Sequence, residues 1–138
     1  MTAHERTGFR DDLALNDRHR LWGDNVPAVD IDWLLVEYDR RVPVALIDYQ
    51  HAAGSLDAKL GGSNLEAFTR LADMAGLPAF VVRYRQPWEF SPYGLNDIAL
   101  GVMPDARRLD EESYVRWLYR LRGRRMPESV RDAIRGVS

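Results

Sequence analysis

The sequence predicts an α/β domain, a mixed β-sheet with helices on its faces. Three stretches predict it. A hairpin pattern from Asp30 to His51 is apolar on both sides of the pleat, so both sides need cover. A helical pattern opening at Ser63 leads directly into the apolar run Ala79–Tyr84. A helix feeding such a strand marks a crossover, which sets the strand parallel to a hairpin partner. A further amphipathic stretch begins at Asp110. With 138 residues, 46% of them hydrophobic and 29% charged, the chain has globular proportions. It reads as a single domain over 1–138, with 124–138 as a C-terminal tail helix.

The N-terminal MTAHERTGFRDD carries no apolar core of a signal peptide. Nowhere does an apolar run approach the roughly 18 residues of a membrane span, so a cytoplasmic protein without a membrane partner is expected. Absence of cysteine excludes disulfides, thiolate metal sites and a thiol nucleophile. Residues 9–22 read as a first helix that contains Asp12, Asp17, His19 and Arg20 and ends at Gly23. Asn25–Ala28, limited by Pro27, is left to supply a short extra strand.

The hairpin strands are read as Asp30–Tyr38 and Val42–His51, joined by Asp39-Arg40-Arg41. A three-residue loop centred on Arg40 opposes residues whose numbers sum to 80. Val36 then meets Val44, Leu34 meets Leu46, Asp32 meets Asp48 and Asp30 meets Gln50, all on one face. Opposed Cβ atoms lie about 4.5–5.5 Å apart, and like charges there are destabilising. A hard cation such as Mg²⁺ between Asp32 and Asp48 would relieve that cost. A plainer reading makes Asp30 a strand-entry residue and leaves the other two at a solvated edge. An even-length loop would send Asp32 and Asp48 to opposite faces. The odd-numbered face holds Ile31, Trp33, Leu35, Ala45, Ile47 and Tyr49, with Glu37 and His51 toward its ends. Pro43, opposite Glu37 in this register, belongs at the start of its strand because it cannot donate to the ladder.

Ala53–Gly62 is a glycine-containing connector. Ser63 and Glu66 form a capping box, and Gly76 with Pro78 closes that helix. Arg83 and Arg85 lie together at the far end of the next strand. Trp88–Tyr93 reads as another strand, and Asn96 as the cap of a short helical turn. Asp110 caps the last long helix, whose stripe is Tyr114, Trp117, Leu118 and Leu121. Arg116, Arg120 and Arg124 follow another face, Gly123 ends the helix and Pro127 opens the tail helix. The net charge of −2 argues against a generally basic nucleic-acid binder. Even so, Lys59 is the single lysine, and seven arginines fall between Arg116 and Arg135. Arginine suits bidentate phosphate contacts. Glycine-rich phosphate loops, HExxH spacing and a GxSxG elbow are absent.

An Asp on one strand, followed on its neighbour by acid-x-Lys after an aliphatic run, resembles the PD-(D/E)XK nuclease superfamily. Here Asp32 matches the first acid, Asp48 the second and Gln50 the lysine position, within VALIDYQ. The likeness covers about Asp30 to Tyr84. Small actinobacterial and phage proteins with HRxWG, DIDxL and ALIEYKH segments are also similar, through His19-Arg20-Leu21-Trp22-Gly23, Asp30-Ile31-Asp32 and Ala45–His51. The second acid is Asp where Glu is commoner, and Gln50 replaces Lys.

The resemblance implies a restriction-endonuclease-like fold and metal-dependent phosphodiester hydrolysis, most naturally of DNA, and leaves room for a homodimer. It implies Mg²⁺ or Mn²⁺ on Asp32 and Asp48, a water held by Gln50, and support from Asp30, Arg20 and Arg83. The alternative it allows is a degenerate nuclease-like fold that binds nucleic acid or protein without chemistry.

Overall fold

The computed structural model describes residues 33–37, 40–52 and 65–136, together with Arg18 and Leu21. The chain divides into two units, Met1–Asp30 and Ile31–Ser138. In the first, Arg18 and Leu21 are helical and exposed. In the second, the described residues form a five-stranded mixed sheet with helices, an α/β architecture in the order β1-β2-β3-β4-β5.

The hairpin joins β1 (Trp33–Glu37) to β2 (Val42–His51). Trp33 faces Ile47, Leu34 faces Leu46 and Leu35 faces Ala45, which is the register expected from a loop centred on Arg40. Beyond Leu35 the register slips, so that Val36 faces Pro43 and Glu37 faces Val42. The expected pairs Val36–Val44 and Glu37–Pro43 therefore do not form. Pro43 has no N–H to donate, and Arg41 adopts a left-handed φ of 57°. At this irregular strand end the ladder absorbs one extra residue as a bulge.

β3 (Ala79–Arg85) runs parallel to β2, from Leu46 beside Ala79 to His51 beside Tyr84. This is the expected crossover, and β3 is the central strand, with Ala79–Val82 entirely buried. β4 (Glu89–Gly94) returns antiparallel, and β5 (Leu109–Asp110) pairs with its start. Trp88, expected to open β4, instead sits in the preceding turn with φ 63°.

Four described helices follow local chemistry. α1 (Leu65–Ala75) ends at Gly76, which has φ 72°. The Gly76 and Leu77 amides donate to the Asp73 and Ala72 carbonyls, a Schellman closure that favours glycine. α2 (Asp97–Leu100) is capped by buried Asn96, whose Oδ1 accepts from Ala99 N at 2.9 Å and Ala79 N at 3.2 Å. Asn96 Nδ2 donates to Asp73 and to the Leu77 carbonyl, so one side chain ties α1, β3 and α2 together. α3 (Glu111–Leu121) begins where Asp110 accepts from Ser113 N at 2.8 Å. α4 (Glu128–Gly136) follows Pro127.

Each face of the sheet has its own core. Phe68 and Ala72 of α1 cover Leu46 and Ala79 on one face. On the other, Tyr114 and Trp117 of α3 cover Ala45, Ile47, Phe80, Val82 and Phe90. Phe80 and Trp117 meet edge to face at 4.9 Å, and Phe90 stacks on Tyr114 at 4.2 Å. The two-sided cover expected of the hairpin is thus present along β2. Among the described residues, no helix is long and apolar enough to cross a membrane.

Candidate functional site

Side chains alternate along a strand, so Leu46, Asp48 and Gln50 of β2 share one face. Leu46 lies under α1. Further along, Asp48 and Gln50 are half-buried. Their neighbours in register are Val81 and Arg83 on β3, then Tyr93 and Ser91 on β4. An apolar start and a polar end on one face result.

Gln50 Nε2 donates to Asp48 Oδ2 at 3.2 Å. Arg83, beside Gln50 in the parallel ladder, keeps only 7% exposure and places a buried positive charge on the same face. Ser91, next across, donates its hydroxyl to the Arg107 carbonyl at 2.9 Å. Of the residues nominated by sequence, Asp48, Gln50 and Arg83 therefore come together. Asp32, Asp30 and Arg20 lie outside the described residues. Among the described residues, no group of three acidic or histidine side chains converges as a metal site. Asp48 supplies a carboxylate and Gln50 an amide oxygen, donors of the type a hard divalent cation takes, but fewer than it requires.

The opposite face at the same end of the sheet is aromatic. His51 meets Tyr84 edge to face at 5.3 Å, and Trp88 stacks against Tyr84 and Phe90. His51 is thus on the opposite side of the strand from Asp48, as its odd number implies. Deeper in, the Tyr49 and Tyr114 hydroxyls bond each other at 2.5 Å. Burial pushes both phenols above their ordinary range.

Sequence reasoning missed a charged cluster at the other end of the hairpin. Glu37 keeps the same side as Leu35 and has no exposed surface. It accepts from Arg124 Nε at 3.0 Å, Arg122 Nη2 at 3.4 Å and Arg40 N at 3.0 Å. The available signal was an acid at the end of an apolar face, together with an arginine-rich C-terminus.

No protein-family model, curated protein or solved structure matches the chain.

Proposed function

We propose that the protein is a metal-dependent nuclease with a restriction-endonuclease-like core, hydrolysing phosphodiester bonds most naturally in DNA. The observation carrying this reading is the placement of Asp48 and Gln50 on one sheet face, beside the parallel crossover strand that bears Arg83. The described register supports it further. Trp33, which follows Asp32 in sequence, faces Ile47, which precedes Asp48. This is the register on which the opposition of Asp32 and Asp48 rests.

In this reading Asp48 and Asp32 hold Mg²⁺ or Mn²⁺. When bound, the ion polarises the scissile phosphate and lowers the pKa of a water. Gln50 turns its amide from Asp48 toward that water and fixes its orientation by hydrogen bonding. Arg83 adds fixed positive charge to the face that receives the phosphate.

The competing reading is a nuclease-like fold that binds without chemistry. It is favoured by the Asp48–Gln50 contact, because a Gln50 amide already donating to Asp48 satisfies that carboxylate without a cation. Supercoiled plasmid, branched DNA and RNA, each incubated with Mg²⁺, Mn²⁺ or EDTA, distinguish the two. Cleavage with metal, none with EDTA and its loss in Asp48→Asn are expected. No cleavage of any substrate, or equal cleavage by Asp48→Asn, overturns the nuclease reading.

A further inference from the structure

α3 ends at Gly123, whose φ of 72° is left-handed. Its amide donates to the Arg120 carbonyl at 2.9 Å, and Arg124 N donates to the Tyr119 carbonyl at 2.9 Å. This Schellman turn reverses the chain and brings Arg124, Arg125 and α4 beside the last turns of α3. Between them lies an open cleft of about 440 Å³, lined by Arg116, Arg120, Arg124, Arg125 and Arg131. Buried Met126 contributes apolar surface to it, and Glu128 is the lone acid among the described lining residues. Five guanidinium groups against one carboxylate leave an excess of four positive charges in a chain whose net charge is −2.

Carboxylates behind the cleft do not cancel that excess. Glu112 is shared by Arg116 and Arg135, and Glu37 by Arg40, Arg122 and Arg124. Two acids thus serve five arginines. Arg131 reaches Glu128 only at 3.7 Å and Asp132 at 3.4 Å, and its Nε meets no acceptor. Arg120 and Arg125 reach no carboxylate among the described residues. Converging arginines repel one another, so an anion that several of them share would lower the energy of the cleft. Guanidinium forks match phosphate oxygens in bidentate geometry.

We propose that this cleft is a binding site for phosphate groups. It is separate from the Asp48 face. Arg124 is anchored through Glu37, which pairs with Val42. From there to Asp48 is roughly 20 Å of strand at about 3.3 Å per residue. The cleft also lies against α3, which covers the other side of the sheet. Its ligand therefore does not depend on hydrolysis at Asp48.

Phosphate could come from a nucleic-acid backbone or from a compact phosphorylated molecule, so two probes are used, both in EDTA. A fluorescein-labelled single-stranded oligonucleotide is followed by anisotropy, and inorganic pyrophosphate by calorimetry. Arg120→Ala/Arg125→Ala removes two guanidiniums that hold no described ion pair, and its melting curve should match the parent's. The parent should bind at least one probe, and the double variant should bind it at least tenfold more weakly. For an oligonucleotide, the dependence of log affinity on log salt should also flatten by about two phosphate contacts. Both probes are read in EDTA, where metal-dependent cleavage cannot proceed, which keeps this outcome independent of the nuclease reading. Oligonucleotide alone assigns the cleft to a backbone, and pyrophosphate binding to a compact ligand. A parent that binds neither at millimolar pyrophosphate, or a double variant that binds equally well, overturns the proposal.

Discussion

Arg124 Nε donates to Glu37 Oε1 at 3.0 Å, joining the turn after α3 to the end of β1. The Arg124 hydrogen bond, reinforced by Arg40 against the cost of burial, holds the Glu37 carboxyl at about 2, against an ordinary 4.5. A depressed native pKa means that the unfolded chain takes up the proton first as pH falls. The stability contributed by Glu37 is therefore complete above about 4.5 and is lost as pH falls toward about 2. Glu112, held at about 2 by Arg135 and Arg116, titrates in the same window. Melting temperatures between pH 7 and 2.5 should fall through this range in the parent. Glu37→Gln should melt several degrees lower at pH 7, because the arginines around a buried site lose their shared counter-charge. Its decline in acid should be shallower but still present, since Glu112 remains. Parallel curves would show that Glu37 contributes nothing through its charge.

The Tyr49–Tyr114 hydroxyl pair gives a second test, in the core under α3. Tyr49→Phe strands the buried Tyr114 hydroxyl, and a stranded buried hydroxyl costs about 1–3 kcal/mol. Adding Tyr114→Phe removes the stranded group. The double variant should thus be no less stable than Tyr49→Phe alone, a non-additivity expected of groups in direct contact. Urea denaturation of the parent, both single variants and the double variant measures it. Strictly additive losses would mean that the hydroxyl pair is energetically silent.

Where a signal is local, the sequence carries it. Gly76, Gly123, Asn96 and Asp110 act within their own turns, and all four stand where the sequence puts them. The parity that unites Asp48 with Gln50 is equally local, because a strand alternates whatever surrounds it. The hairpin register was legible as far as Leu35. It was lost at Val36, where the ladder skips Val44 beside Pro43; Arg41 in the adjoining turn is left-handed, a conformation that arginine does not announce as glycine would. β5 has two residues, too few for any periodicity. The environment of Glu37 was illegible for another reason. Its partner Arg124 lies 87 residues away, and nothing near Glu37 in sequence encodes that meeting.

The lysine position separates a weakened enzyme from a binding module. Gln50 is half-buried and donates to Asp48. A lysine there would direct an ammonium to the same carboxylate, with Arg83 as its neighbour on β3. If the site is intact, Gln50→Lys should remain folded and raise metal-dependent cleavage roughly tenfold or more, since a well-placed charged group contributes at least that much to proton transfer. Plasmid nicking rates with Mg²⁺ and Mn²⁺ measure the change. Absence of cutting by both proteins favours the binding module.

Stability can test the metal assignment without a substrate. In the nuclease reading Asp48 and Asp32 face each other and repel when no ion is present, so neutralising one relieves strain. Asp48→Asn retains an oxygen able to accept from Gln50 Nε2, and it should be as stable as the parent in EDTA or slightly more so. Metal should reverse the order. A ligand that binds only the folded state stabilises it by about 2.7 kcal/mol at 100 times its Kd. For a domain of this length that raises the melting temperature by several degrees. The parent should show such a rise with Mn²⁺, and Asp48→Asn should lose most of it. A purely structural Asp48 behaves differently, because its variant is destabilised equally with and without metal once a native partner is mispaired. Four melting curves, each protein with Mn²⁺ and with EDTA, decide the matter. A parent indifferent to millimolar Mn²⁺, beside a variant weakened under both conditions, removes Asp48 from the ligand set.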